Sequence, residues 1–275
     1  IDVIKRVLRM SEDLKAESFD IINFILSSKL RVDLMYFLYK KDRKIDELAS
    51  LIDKKPSNIS RALKELFDKG IVEKSGKSYL LTSTGRLMAI VLYSLYNSFI
   101  AIDEKEYFWK THSIKLFTAP ILSNISCLEC GEIISSDNIN FNKAISFYLE
   151  NIKKSKNFKI MLPIFSSLYL NAFFDALDRN NATMEVILDN NILNFILESE
   201  FSVTFNNYVK ENKIKLFIVD MKIDMFFTLC DDFFALFLFS DDGYFDESSL
   251  FFVENEKCLR VLNETFNQLK KLSQS

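Results

Sequence analysis

Glycine and proline are scarce in this chain, which contains five Gly and three Pro among its 275 residues. Because these residues end helices and form tight turns, their scarcity disfavours long loops. The five glycines form neither a G-x-G-x-x-G fingerprint nor a G-x-x-x-x-G-K-[ST] loop, which excludes the usual nucleotide-binding cradles. Hydrophobic residues make up 49% and charged residues 27% of the chain, a composition that excludes a disordered protein.

The chain is predicted to be a cytoplasmic protein without a membrane partner. No apolar run approaches the ~20 residues that span a bilayer. The first residues, IDVIKRVLRMSEDLKAE, carry charges throughout and lack the apolar core of a signal peptide. Four cysteines do not indicate a disulfide scaffold, so a reducing compartment is expected. The 27 Phe residues are interpreted as core filler.

Charge is distributed unevenly along the sequence. Residues 1–86 contain 18 Lys and Arg against 13 Asp and Glu, whereas residues 87–275 contain 17 against 25. A basic segment joined to an acidic one favours contact of the first with a polyanion. The length is typical of two domains, since one domain usually contains ~100–200 residues.

The first 84 residues are predicted to form a small domain of helices followed by a hairpin. Apolar residues recur at helical spacing in four segments: Glu17–Ser28, Leu30–Tyr39, Ile45–Ile52 and Pro56–Lys69. Pro56 suits the first position of the fourth helix, and Gly70 suits its C-terminal cap. Two short strands, Ile71–Lys74 and Lys77–Thr82, then flank Ser75-Gly76 and predict a hairpin.

This order of elements is that of a winged helix-turn-helix domain, and Ile45–Leu87 resembles the ArsR/MarR-type archaeal and bacterial regulators. Their recognition helix reads S-x-x-S-R-x-L-x-x-L and is followed by G-[IL]-V. The matching residues here are Ser57, Ser60, Arg61, Leu63, Leu66 and Gly70-Ile71-Val72. The resemblance implies that the helix Pro56–Lys69 binds double-stranded DNA.

The candidate DNA contacts follow from the way a helix enters the major groove, with its N-terminal residues near the base edges. The candidates that face bases are Ser57, Asn58 and Arg61, with Ser60 beside them. Asn pairs with adenine and Arg with guanine, each through two hydrogen bonds. The candidates near phosphates are Lys54, Lys55 and Lys64 in and before the helix, and Lys74 and Lys77 on the wing.

Residues 85–275 are predicted to form a long helix and a second domain. The helix Gly85–Trp109 is apolar on most faces, so it needs a cover, and we expect it to form part of a homodimer interface. After His112 strands and helices alternate, which predicts an α/β domain with a mostly parallel sheet and antiparallel strands at one edge. The predicted organisation is a winged helix (1–84), a linking and dimerisation helix (85–112) and an α/β regulatory domain (113–275).

The whole chain resembles archaeal winged-helix regulators of the methanogenesis regulatory protein (FilR-type) family. The resemblance rests on Glu106–Ser113, where the family shows F-W-x-x-H, and on Gly131–Asp137 and Asp231–Ser249. The chain departs from the family at Phe117–Pro120, where an Ile-Pro pair is common. The resemblance implies a transcriptional role and a phospholipase D-like fold for the C-terminal domain.

No catalytic residue, metal or cofactor is predicted. Phospholipase D-type enzymes need a paired H-x-K-x-x-x-x-D motif, and the only His of the chain, His112, is followed by Ser113-Ile114-Lys115. We therefore expect a domain that senses a small-molecule effector or binds a partner, since a shared fold does not imply a shared function.

Six residues are candidates for an effector pocket: Trp109, His112, Phe165, Tyr169, Tyr244 and Asp246. Phe165 and Tyr169 follow the C-terminal end of a predicted strand, the edge at which open α/β sheets bind ligands. His112 has a second interpretation, as a capping or packing residue at the domain junction.

The segment Cys127-Leu128-Glu129-Cys130 is a C-x-x-C pair with several interpretations. A zinc site needs four ligands, so Cys230 and Cys258 would have to lie within a few Å. A thioredoxin-like redox pair opens a helix after a strand, whereas Gly131 and a strand follow this pair. The remaining interpretation is a pair of loosely packed or surface thiols.

The leading hypothesis is a transcriptional regulator that binds double-stranded DNA through its winged helix. Two alternatives belong to other classes. One is a scaffold whose winged helix binds only proteins, and the other is an enzyme whose winged helix is a docking module.

Overall fold

A computed structural model describes residues 12–114, 122, 124–179, 181–271 and 273. The chain divides into two compact units, Ile1–Tyr96 and Asn97–Ser275. The boundary falls inside the segment that the sequence predicts to link the two domains. The departure from the family at Phe117–Pro120 lies outside the described residues.

The N-terminal unit has the predicted order of elements. Its helices and strands are α1 (Glu12–Leu26), α2 (Lys29–Lys40), α3 (Ile45–Ile52), α4 (Pro56–Asp68), β1 (Val72–Ser75), β2 (Ser78–Leu81) and the first part of α5 (Ser83–Asp103). The two strands pair antiparallel, with Val72 opposite Leu81. Helices α2, α3 and α4 and the β1–β2 hairpin therefore follow one another as in a winged helix-turn-helix domain.

Helix α4 begins and ends where its sequence indicates. Asp53 adopts a left-handed conformation (φ 54°, ψ 54°) that ends α3, and Pro56 occupies the first turn of α4. Gly70 has a φ of +66°, which suits a residue without a Cβ at the end of a helix. The buried stripe contains Ile59, Ala62, Leu63 and Leu66. The helical spacing of apolar residues predicts that Phe67 also belongs to this stripe, but Phe67 is 51% exposed.

The prediction of one helix from Gly85 to Trp109 is wrong. Helix α5 ends at Asp103, and a separate helix, α6 (Glu106–Thr111), follows. The indole Nε1 of Trp109 donates to the carbonyl of Ala101 at 2.8 Å, and buried Lys105 donates to the carbonyl of Glu129 at 3.1 Å. These contacts hold the chain in a turn between the two helices.

Helix α5 is long and apolar enough to cross a membrane by length and composition. The prediction from uninterrupted apolar runs did not identify this helix, because uncharged Ser, Tyr and Asn side chains interrupt its apolar run without making the helix polar. Ala89 is buried in the core of the N-terminal unit, and Met88 and Leu92 pack against that core. Leu87, Val91 and Leu95 are exposed.

The C-terminal unit contains a seven-stranded sheet. Beyond α6 and a 3₁₀ helix (Ile125–Cys130), its elements are β3 (Glu132–Ser135), α7 (Lys143–Ile152), β4 (Asn157–Met161), α8 (Ser167–Arg179), β5 (Thr183–Asp189), α9 (Asn190–Glu198), α10 (Ser202–Lys210), β6 (Ile214–Val219), β7 (Met225–Cys230), β8 (Phe234–Leu238), β9 (Ser249–Val253) and α11 (Glu256–Lys271). The strand order is β3-β9-β8-β7-β4-β5-β6.

The sheet is mostly antiparallel, which corrects the predicted mostly parallel sheet. Strands β4, β5 and β6 are parallel to one another, as expected for strands joined through helices. Strand β7 pairs antiparallel with β4, and β8, β9 and β3 continue the antiparallel pairing. The short connection between β7 and β8 permits only an antiparallel pair, since a parallel pair needs a long crossover.

Both faces of the sheet are covered. One core contains Met184, Val186 and Leu188 of β5 together with side chains of α7, α8, α9 and α10. The other contains Ile187 of β5 and Phe227 of β7, packed with α11 and the 3₁₀ helix. Among the described residues, the twelve largest fully buried side chains are all Phe or Tyr. This agrees with the interpretation of Phe as core filler.

Candidate nucleic-acid interface

The first two turns of α4 present a polar, exposed face. Ser57, Asn58, Ser60 and Arg61 are all exposed, and they lie opposite the buried stripe that holds α4 in the core. A helix that is anchored on one side in this way presents a fixed set of polar side chains to a ligand. The structure therefore brings the predicted base-facing residues together on one surface.

Lysines surround this face. Lys54 and Lys55 are exposed in the turn before α4, and Lys64 is exposed one turn after Ser60. Lys55 is the N-cap residue of α4, but its side chain makes no capping hydrogen bond. These ammonium groups are available to neutralise a polyanion, as phosphate-binding residues do.

Glu65 is the carboxylate nearest to the exposed face, and two arginines contact it. Arg31 Nη1 lies 2.7 Å from Glu65 Oε2, with the Arg31 side chain only 14% exposed. Arg61 Nε lies 3.7 Å from Glu65 Oε1, with the Arg61 side chain 82% exposed. Glu65 is thus engaged mainly by Arg31, and the sequence did not predict this pair, because the two residues are 34 positions apart. An exposed ion pair such as Arg61–Glu65 contributes little energy, so Arg61 can leave it.

The β1–β2 hairpin carries the two predicted wing lysines, Lys74 and Lys77, and both are exposed. Its turn contains Gly76 at a φ of +60°. Lys74 Nζ lies 5.6 Å from the ring centroid of Tyr79 on the opposite strand. The backbone of Tyr79 exchanges two hydrogen bonds with Arg43, which attaches the hairpin to the turn between α2 and α3.

Thr82 and Gly85 fix the chain where it leaves the hairpin. Thr82 Oγ1 donates to the carbonyl of Gly70 at 2.7 Å and accepts from the N–H of Gly85 at 3.0 Å. A Cβ on Gly85 would lie 1.9 Å from the carbonyl oxygen of Ile71. This close approach holds the hairpin beside the end of α4, and only glycine allows it.

In the C-terminal unit the structure brings two of the predicted pocket residues together. His112 Nε2 lies 2.9 Å from Asp246 Oδ2, and His112 Nδ1 lies 2.7 Å from the carbonyl oxygen of Phe108. Burial lowers the pKa of His112, but the hydrogen bonds to Asp246 and Phe108 outweigh it and raise the pKa above 6.5. Burial opposes the shift at Asp246, where hydrogen bonds from His112 and Ser248 lower the pKa to about 2.

The other predicted pocket residues make contacts of their own. Tyr169 is buried and donates from its hydroxyl to Glu247 Oε1 at 2.9 Å, and burial together with that carboxylate raises its pKa. Phe165 is 37% exposed and contacts Phe195, and Trp109 packs on Phe251. Tyr244 is 77% exposed. Whether any of them binds an effector stays a prediction.

An open groove lies elsewhere in the C-terminal unit, between the ends of β4 and β7 and the helix α11. Its lining includes Lys159, Asp231, Glu256, Arg260 and Asn263. The sequence did not predict it, because its charged residues come from three separate segments. In the part of the chain that the structure describes, no group of three or more His, Cys, Asp or Glu side chains is arranged to hold a metal ion.

Comparison with known proteins gives two family matches that together cover most of the chain. Residues 19–100 match the N-terminal domain of the methanogenesis regulatory protein FilR1, and residues 141–271 match its middle domain. Methanogenesis regulatory protein FilR1 of Methanothrix harundinacea (strain 6Ac) is 20% identical over 234 residues, which cover 82% of this chain. The chain spans about half, 51%, of the length of that curated relative.

Solved structures show weaker similarity. TrmBL2, an archaeal chromatin protein described with a novel mode of DNA binding, is 14% identical, and the match covers 84% of this chain and 86% of that chain at a TM-score of 0.39. Nuc of Salmonella typhimurium, a phospholipase D family member, is 13% identical over 50% of this chain and 91% of its own, at a TM-score of 0.37.

The match of residues 141–271 contains Asp231–Ser249, one of the segments on which the resemblance to this family rests. The match of residues 19–100 falls almost entirely on the N-terminal unit, and the match of residues 141–271 falls on the C-terminal unit. This chain therefore belongs to the family of FilR1-type methanogenesis regulatory proteins.

Proposed function

We propose that this chain binds double-stranded DNA through α4 and the β1–β2 hairpin and acts as a transcriptional regulator. The observation that carries the proposal is the exposed face of α4, on which Ser57, Asn58 and Arg61 lie beside Lys54 and Lys55. The first carboxylate on the helix, Glu65, lies in its second half and is engaged by Arg31. Membership of a regulatory protein family supports the same function.

In the proposed complex the N-terminal end of α4 enters the major groove. Arg61 then donates to a guanine and Asn58 pairs with an adenine, because these side chains match the base edges that the groove presents. Lys54, Lys55 and Lys64 contact phosphates and set the position of the helix without selecting a sequence. Lys74 and Lys77 on the hairpin contact the DNA backbone or the neighbouring minor groove. This ArsR/MarR-like arrangement is part of the proposal.

The proposal includes a homodimer in which α5 contacts its copy. Leu87 and Val91 are 67% and 69% exposed, and Leu95 and Phe99 continue the same apolar surface along the helix. A row of exposed apolar side chains favours association with another surface. A dimer also suits the proposed function, because regulators of this class usually bind two half-sites. Met88 and Leu92 lie on the other side of α5 and contact the core of the N-terminal unit.

The C-terminal unit is proposed to sense an effector or bind a partner, in a protein of the cytoplasm. Its phospholipase D-like character is an expectation about fold alone. We propose no catalytic activity, because the single His of the chain is 6% exposed and is engaged by Asp246 and Phe108.

The test is selection of bound duplexes from genomic fragments, followed by mobility-shift titration with Arg61→Ala. We expect the parent to select a sequence and the variant to lose preference at one base pair, with affinity reduced about 5- to 150-fold. Arg179→Ala is the matched control, because Arg179 is also an exposed helical arginine paired with an acid four positions away. It should bind as the parent does.

Two results would contradict the proposal. A parent protein that binds no duplex at low ionic strength would favour the protein-binding scaffold. Equal affinity and equal base preference of Arg61→Ala and the parent would show that α4 is not the helix that contacts the bases.

A further inference from the structure

Three of the four cysteines converge in the C-terminal unit although they are far apart in the sequence. Cys127 and Cys130 lie in the 3₁₀ helix, Cys258 lies in the first turn of α11, and the Cys258 thiol is in hydrogen-bonding contact with both other thiols. Cys230 does not join them. It belongs to the core on the opposite face of the sheet, where its thiol contacts Ser155.

The backbone around these thiols is held in place on both sides. A Cβ on Gly131 would lie 2.3 Å from Cζ of buried Phe251, so the chain that follows Cys130 lies directly on this ring. On the other side, Asn255 Oδ1 accepts from the backbone N–H of Cys258 at 3.2 Å and caps α11. The contact between Cys130 and Cys258 therefore joins two firmly placed segments, and Cys130 is a surface thiol, one of the interpretations that the sequence left open.

The three thiols differ in access to solvent. Cys130 is exposed, Cys127 is partly exposed, and Cys258 is 1% exposed. A dissolved oxidant therefore reaches Cys130 more readily than Cys258. Both thiols of the C-x-x-C pair contact Cys258, and the protonated Cys130 thiol also donates to the carbonyl oxygen of Cys127 at 3.2 Å, a hydrogen bond that it gives up as a thiolate.

The surroundings favour a thiolate at Cys130. The contact with Cys258 lowers the pKa of Cys130 to about 7, against the opposing effects of burial and Glu129. The ammonium group of Lys105, bound to the carbonyl of Glu129, contributes in the same direction. The pKa of Cys258 is raised by its contacts with Cys127 and Cys130 and by burial, so it keeps its proton. A thiolate is the reactive form of cysteine.

We propose that Cys130 and Cys258 form a peroxide-reactive thiol pair that closes to a disulfide. The Cys130 thiolate attacks one oxygen of a hydroperoxide, the O–O bond breaks, and a sulfenic acid forms while the other oxygen leaves and takes a proton. The Cys258 thiol then loses its proton and attacks the Cys130 sulfur, and the S–O bond breaks with release of water. Two thiols are oxidised, and the hydroperoxide is reduced by two electrons. A dithiol reverses the reaction by exchange.

The test is peptide mapping of the full chain after an equimolar dose of hydrogen peroxide, followed by alkylation in denaturant. We expect loss of two hydrogen atoms in mass, two alkylated thiols instead of four, a Cys130–Cys258 linked peptide, and full reversal by dithiothreitol. A Cys127–Cys130 linkage would overturn the role of Cys258. Four free thiols after peroxide would overturn the whole proposal, as would a stoichiometric metal ion that protects the thiols until a chelator removes it.

Single variants add a second measurement. Cys258→Ser should accumulate a sulfenic acid at Cys130 that dimedone traps, whereas Cys130→Ser should form neither the disulfide nor the adduct. Cys127→Ser should still form the Cys130–Cys258 disulfide. Cys230→Ser is the matched control for a buried thiol outside the cluster, and its peptide map after peroxide should equal that of the parent. None of these outcomes depends on DNA binding, so failure here leaves the proposed function untouched.

Discussion

His112 Nε2 and Asp246 Oδ2 lie 2.9 Å apart, and this pair joins the end of α6 to the segment before β9. The bond is reinforced where the chain continues, since the N–H of Ser113 donates to the carbonyl of Phe239 at 2.8 Å. The His112 side chain is 4% exposed and that of Asp246 is 25% exposed, so solvent screens the pair only in part. The pair is therefore a structural connection within the C-terminal unit.

The pair predicts a stability difference that depends on pH. The folded pKa of His112 is raised, so its contribution is complete below the unfolded pKa of about 6.5 and is lost as pH rises through the folded pKa. The folded pKa of Asp246 is lowered to about 2, so its contribution is present above the unfolded pKa of about 3.9 and is lost as pH falls below it. The pair therefore contributes fully to the free energy of unfolding between about pH 3.9 and about pH 6.5, the unfolded pKa values of Asp and His.

We expect His112→Asn to lower the free energy of unfolding by about 1.5–3 kcal/mol inside that window, the usual contribution of a hydrogen bond to a charged group. The loss should shrink at alkaline pH. Urea unfolding followed by the fluorescence of Trp109, the single Trp, measures it. Asp242→Asn is the control, because this nearby acid is exposed and should change little. A loss that is equal at all pH values would show that the charge of His112 does not matter.

The sequence predicted local elements better than long-range pairings. Helical spacing predicts a helix at Ser167–Arg179, and a short apolar run predicts a strand at Ile214–Val219. Helix α8 and strand β6 have these bounds, because both signals are local. The position of β7 beside β4 was not predictable in this way, since all six residues of β7 are buried and an apolar run on both faces contains no information about its neighbours. The sequence also left open which cysteines meet, because Cys258 is far along the chain from Cys127 and Cys130 and no local pattern relates them.

The candidate interface shows the same division. The spacing of Ser57, Asn58 and Arg61 against the apolar stripe predicted one exposed face, which the structure shows. The partner of Glu65 lies on another helix, so no local pattern indicates that Arg31 occupies it. Tertiary contacts of this kind decide which charges on a helix stay available to a ligand.

Truncating Lys55 tests the phosphate-binding role of the turn before α4. Its side chain makes no capping hydrogen bond, so Lys55→Ala should leave the fold intact. We expect the slope of log affinity against log salt to fall by about 0.9, with nearly the same loss of affinity for every duplex sequence. The measurement is a salt titration of duplex binding, with exposed Lys210→Ala of α10 as control. An unchanged slope would place Lys55 outside the contact.

Gly85→Ala tests whether the close approach to Ile71 holds the hairpin. Alanine favours a helix by about 1 kcal/mol over glycine, but the added Cβ would lie 1.9 Å from the Ile71 carbonyl oxygen. Backbone gives way less easily than a side chain, so we expect a net loss of about 1–3 kcal/mol in chemical unfolding. Thr84→Ala, at the neighbouring exposed position of α5, should change stability by less. A more stable Gly85→Ala variant would contradict this geometry.

Val91→Glu tests the proposed dimer more sharply than a substitution of Leu92, because Leu92 packs against the core of the N-terminal unit whereas Val91 is 69% exposed. A carboxylate in a desolvated apolar contact is costly, so we expect the variant to sediment as a monomer and to bind a two-half-site duplex more weakly. Val203→Glu is the matched control, since Val203 is 72% exposed on α10, away from α5 in sequence, and it should keep the parent mass. A parent and a Val91→Glu variant of equal sedimentation mass would show that this face of α5 does not hold two chains together.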